Sequence, residues 1–258
     1  MKNYFGFDPY AYDFWPIYEA IKTYYPIGVR FENFIYREYE GQKKFGALLV
    51  DNTHNQENFK ERCLNFTNQL QEQLGLEIDG TTLGQQPSFS FDVIIERSVE
   101  PGFVRLKKLC VAISLLGDFY AIYGIDESFM IDEGERYPRH YHAVHAITTS
   151  PYKEFEQPFL AVKKAIQDRY PTHRQVPFYM LTMYMEGLYD RYDEKSECMI
   201  YNALFDQKLK HYEHFQFRGT QDFGESEWIK EGVDPTEIRT VEVVVMPPPP
   251  IQPPANLQ

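Results

Sequence analysis

Two apolar runs, residues 109–116 and 119–125, stand only two residues apart, and the intervening Gly117-Asp118 suits a primed hairpin turn because glycine accepts positive φ. A chain with such a pair is committed to an antiparallel sheet. Upstream, Phe89, Phe91, Val93 and Ile95 alternate with Ser88, Ser90, Asp92 and the exception Ile94, which predicts a strand with one polar face. Residues 139–148 read as a further strand. Residues 29–39 and 45–50, around the polar turn 40–44, and residues 176–186 and 197–205, around the polar turn 190–195, read as two more strand pairs, with a last strand at 240–245.

Helical spacing marks residues 13–25, 55–74, 150–170 and 206–215. In the first long helix Phe59, Cys63, Phe66, Leu70 and Leu74 share a face, and Gly75 stands just past its end. In the second, Phe155, Phe159, Val162, Ile166 and Tyr170 repeat that spacing at a constant offset of 96 residues, and each helix has two strand candidates before it and two after. A duplicated ββαββ unit accounts for the match. The expected fold class is therefore α+β, with antiparallel sheets each packed by a long helix. The expected organisation is an N-terminal helical segment over residues 1–28, a first α+β unit over 29–118, a second over 119–215, an extension over 216–245 and a Pro-rich, disordered tail over 246–258. In outline the duplication resembles the paired strand–helix–strand modules of regulatory ligand-binding domains of the GyrI-like class, with a different strand count; the resemblance implies a ligand groove between the two units.

The 258 residues are 43% hydrophobic and 25% charged, which is a globular composition, and no apolar stretch nears the ~20 residues that span a bilayer. Asp plus Glu number 38 against 26 Lys plus Arg, a formal charge of −12, so nucleic acid and anionic membrane are poor partners. The N-terminal residues carry acids and prolines where a signal peptide would place its apolar run, and Cys63, Cys110 and Cys198 are odd in number and set in apolar segments. Both features predict a reducing cytoplasm and structural cysteines. The 20 Tyr and 20 Phe serve sheet packing first and binding surfaces second.

No Walker A pattern, G-x-G-x-x-G, G-x-S-x-G, H-E-x-x-H or C-x-x-C occurs, and no cofactor is expected. Three of seven histidines fall within six residues, His140, His142 and His145. On a strand the first two share a side about 6.6 Å apart, close enough for two imidazoles to converge on zinc, and a second pair, His211 and His214, shares a helix face. With Asp132 or Glu133 these histidines would make a zinc-dependent hydrolase, although no third ligand stands at a fixed spacing, and the expectation is no metal. The acidic segment 126–136 reads as a solvated loop. Its Asp126, Glu127, Asp132, Glu133 and Glu135, beside Phe129 and Tyr137, are the candidate contact residues for a protein partner, possibly basic. The leading expectation is a non-catalytic interaction protein of inhibitor, immunity or adaptor type; the alternative is a small-molecule-binding module.

Overall fold

A computed structural model describes residues 2–132, 139–192, 197–209, 216–234 and 236. Chain order is α1 (Trp15–Tyr24), α2 (Phe34–Glu38), α3 (Glu40–His54), α4 (Gln56–Phe59), a π-helical turn (Lys60–Leu64) and α5 (Asn65–Leu74). The strands β1 (Ile78–Gly80), β2 (Ser88–Glu100), β3 (Phe103–Ser114), β4 (Phe119–Asp132) and β5 (Arg139–Thr148) follow. Then come α6 (Glu156–Arg169), β6 (Arg174–Gln175), α7 (Phe178–Leu181), α8 (Ile200–Leu204), β7 (Gln216–Arg218) and a 3-10 turn at Glu225–Trp228. Among the described residues no helix is long and apolar enough to cross a membrane.

One seven-stranded sheet runs through the molecule in the order β1-β2-β3-β4-β5-β7, with β6 beside the start of β4. Its central pairs are antiparallel and, among the described residues, only β6 and β7 join parallel. The sheet takes strands from both sides of the expected 118/119 boundary, because β3 and β4 are direct partners, with Ile113 opposite Tyr120. The link between them is longer than the two residues read from the sequence, and Gly117 does not take positive φ. The tight hairpin lies instead between β2 and β3, where Glu100 pairs with Phe103 and Gly102 takes φ 73°.

Alternation along the strands splits the core between the two sheet faces. On one face Phe89, Phe91, Val93, Leu109, Val111, Ile113, Tyr120 and Ile122 pack against Cys63, Phe66 and Leu70 of the first long helical segment and Phe159, Val162 and Ile166 of α6. The two long helices thus lie side by side on one sheet, where Tyr170 meets Phe66 at 6.0 Å between ring centroids and Arg169 pairs with Glu61. Gly124 is needed where α6 begins: a Cβ there would come within 2.7 Å of the Phe155 ring. On the opposite face Cys110, Ala112, Ala121, Tyr123 and Ile125 pack against α1, α7 and α8. Trp228, fully buried, closes this side by stacking on Phe14 and Phe119 and donating Nε1–H to the carbonyl of Gln175 at 2.7 Å.

The ββαββ duplication is met only in part: residues 88–95, 109–116, 119–125 and 139–148 fall on β2, β3, β4 and β5 of the one sheet, whereas the outer strand pairs it requires, at 29–50 and 176–205, are helical or irregular among the described residues. Residues 29–50 hold α2 and α3, not a hairpin: Asn33 caps α2 by accepting from the Ile35 amide at 3.0 Å, and the run around Phe45 lies inside α3. Likewise residues 176–186 contain α7 and residues 197–205 contain α8. The expected single-helix packing of two sheets is replaced by two helices on one sheet. The expected helix at 206–215 has no helical residue at 206–209, and its remainder, the strand at 240–245 and the Pro-rich tail lie outside the described residues.

Because Phe66 is buried between two strand aromatics, Phe89 and Phe91, the variant Phe66→Ala should lose roughly 3 to 5 kcal/mol of stability in a denaturant titration. An unchanged midpoint would contradict this packing.

Candidate functional site

The polar side of β2 does not face solvent. Ser88, Ser90 and Asp92 are all buried, on the sheet face covered by the segment that follows α8. Asp206 in that segment accepts from Ser90 Oγ at 3.0 Å, from the Tyr201 hydroxyl at 2.7 Å and from the Lys208 amide at 2.9 Å. Tyr123 reaches the Tyr201 hydroxyl at 3.3 Å, and burial, followed by neighbouring Tyr201, pushes its phenol well above the ordinary value. These contacts pin the crossing segment across β2 and place Lys208 at the edge of the covered region.

There the sheet opens into a cavity of about 490 Å³ lined by Thr81, Asp92, Lys108, Cys110, Ile125, Glu127, Phe129, His142, Val144 and Lys208. Lys108 on β3 lies between carboxylates on its two neighbouring strands, 3.0 Å from Asp92 Oδ2 and 2.9 Å from Glu127 Oε1. The second oxygen of Asp92 pairs with Lys208 Nζ at 3.1 Å, and Lys208 also bonds Thr81 Oγ1. The second oxygen of Glu127 pairs with His142 Nε2 at 2.7 Å. The His142 ring stacks on Phe129 at 4.6 Å with the planes 6° apart, which fixes its orientation. Burial alone would lower the Lys108 pKa, but the flanking carboxylates of Asp92 and Glu127 outweigh it and hold the ammonium above its ordinary value.

A β-bulge puts His142 in this group. Asp126 pairs with Ala146 while Glu127 pairs with Val144, so His145 is the extra residue on β5. Without it, simple alternation would turn Val144 and His142 to the helix-covered side, away from Glu127; with it, both face the cavity. His145 bonds Ser128 at 2.9 Å on the other side of the sheet.

The expected partner-contact residues are divided by this geometry. Residues 126–132 form strand, not loop. Asp126 is buried on the helix side and held by Arg105 through two bonds of 3.2 and 3.0 Å, with Arg218 3.7 Å away. Glu127 is buried in the cavity, and Phe129 is half-buried against His142. Asp132 ends β4, while Glu133, Glu135 and Tyr137 lie outside the described residues. Of the four histidines considered as metal ligands, His140 lies on β5 beside Ile131, His142 is engaged by Glu127, and His211 and His214 lie outside the described residues. No group of three or more metal-ligating side chains converges among the described residues. The sequence marks Asp92, Lys108 and Lys208 as site residues only through the alternation of Ser88, Ser90 and Asp92 along β2.

A smaller cavity, about 220 Å³, lies between α3 and the segment around Arg191, lined by Tyr25, Tyr36, Phe45 and Tyr192 among others. Its two buried tyrosines are already satisfied, Tyr25 by the carbonyl of Ala203 and Tyr36 by that of Tyr189.

Comparison with protein-family models, curated proteins and solved structures finds no match for this chain.

Cys110 forms part of the cavity floor. Burial, then the adjacent Asp92 carboxylate, pushes its thiol well above the ordinary range, so it stays protonated and a poor nucleophile at neutral pH. Iodoacetamide at pH 8 should leave Cys110 unmodified in the native protein and label it after denaturation. Rapid native labelling would show that the thiol is neither covered nor held neutral.

Proposed function

We propose that this chain is a small-molecule-binding protein whose ligand sits on the open sheet face between Asp92, Lys108, Glu127, His142 and Lys208. One observation carries the reading: two almost fully buried carboxylates, their lysine partners and an oriented imidazole converge on an open cavity of about 490 Å³. Removing such charges from water costs several kcal/mol per ion, and apolar residues of similar volume would often serve the fold as well or better. A polar cluster left beside an open space of ligand size therefore supports binding. The apolar members Ile125, Phe129 and Val144 supply the wall against which a small ligand would desolvate.

An acidic surface docking a basic protein partner is less well supported. Asp126 and Glu127, two of its carboxylates, already engage cations within the chain.

The reading is tested by ligand-detected NMR with a panel of small cationic, neutral and anionic polar molecules. At least one class should bind the full chain, and Val144→Trp, which fills the cavity without altering its charges, should abolish that binding while thermal unfolding stays cooperative. Binding unaffected by Val144→Trp, or no binding by any class, would contradict it.

A further inference from the structure

Resting on that reading, we propose that the ligand is an anion and that its carboxylate or phosphate group is held by the ammonium groups of Lys108 and Lys208. The two signs of charge in the cavity are layered. The carboxylates lie beneath, with the side chains of Asp92 and Glu127 only 6% and 4% exposed, whereas those of Lys108, Lys208 and His142 are 17%, 27% and 47% exposed. Glu127 Oε1 itself has less than 1 Å² of accessible surface. An entering molecule meets the two lysine side chains before the carboxylates.

The donor count leads to the same class. An ammonium carries three N–H groups. Among the described residues Lys108 lies 3.0 and 2.9 Å from single oxygens of Asp92 and Glu127, and Lys208 bonds Asp92 and Thr81, so each ammonium keeps at least one N–H. Every carboxylate oxygen of Asp92 and Glu127, by contrast, lies within 3.1 Å of an ammonium or imidazole nitrogen, although Glu127 Oε1 is held there by charge and not by an aligned hydrogen bond. The four charges cancel, so an anion meets no net negative charge in the cluster. It gains two charge-assisted hydrogen bonds, which are the strong kind and most favourable where water is partly excluded. A cation would have to displace a lysine from a buried carboxylate.

The test uses the full chain labelled with ¹⁵N and four probes: inorganic phosphate, acetate, methylammonium and glycerol. Phosphate or acetate should give saturable shifts centred on the amides of Lys108, Glu127, His142 and Lys208, and the tighter of the two distinguishes a phosphate-bearing from a carboxylate-bearing ligand. Lys208→Met should weaken that binding by about tenfold, equivalent to about 1.4 kcal/mol, and Lys208→Arg, which keeps the charge and donors, should restore most of it. Retained amide dispersion in both variants shows that each remains folded. Saturable shifts at these amides from methylammonium or glycerol, and not from either anion, would overturn the anion assignment and leave the cavity reading standing. Anion shifts that never saturate or scatter over surface lysines would also overturn it. Silence of these amides toward all four probes, together with no binding in the wider panel, would overturn the cavity reading itself.

Discussion

The short segment after α8 that crosses the polar edge of β2 determines what the open sheet face becomes. Asp206 satisfies Ser90 and the Tyr201 hydroxyl in one buried position, and two residues later Lys208 reaches Asp92. Buried hydroxyls and carboxylates without partners would each cost on the order of 1 to 3 kcal/mol or more, so this segment, which answers Ser90 and one oxygen of Asp92, lets β2 keep its polar side inside, with Ser88 bonded to Ser90 and the other Asp92 oxygen paired to Lys108. At Lys208 the polar stripe passes from buried network to cavity wall.

That transition gives the site its chemistry. Strand register sets Lys108 diagonally between Asp92 and Glu127, within reach across adjacent strands. The bulge at His145 then rotates His142 onto the same face, and the stack on Phe129 holds its ring. The helices contribute indirectly. The long helical segment ending in α5, together with α6, packs on the far side of β2, β3 and β4, so β2 and β3, which carry Asp92 and Lys108, are buried at one end and exposed at the other.

Much of the sheet was legible in the sequence. The alternation from Ser88, the apolar runs of β3 and β4 and the strand of β5 all appear, as do the apolar faces of the two long helices. Residues 29–50 were misread because Phe34, Ile35, Tyr36 and Phe45 favour strands by composition, and a short apolar run does not reveal its own period. Tertiary contacts decide there: the Tyr36 hydroxyl bonds the carbonyl of Tyr189, and Gly41 allows α3 to press against the backbone of Thr23, where a Cβ would clash at 2.1 Å. Around α8, burial on all sides hid the helical period in the same way. The site was less legible than the fold. His142 stood out as one of a cluster, but its partner Glu127 was read as part of a solvated loop, and nothing local marks a bulge at His145. Nor does the sequence indicate that Lys208 lies beside Asp92, 116 positions away.

The central claim is that Lys208 and Asp92 form a coupled pair joining the crossing segment to the sheet. A double-mutant cycle with Asp92→Asn and Lys208→Met, read by denaturant unfolding, measures that coupling directly. The account predicts an interaction energy of about 1 kcal/mol or more, with the double variant more stable than the sum of the two single losses allows. Strict additivity would mean that the two residues do not share a contact, and the cavity would then lack the lysine on which its proposed chemistry rests.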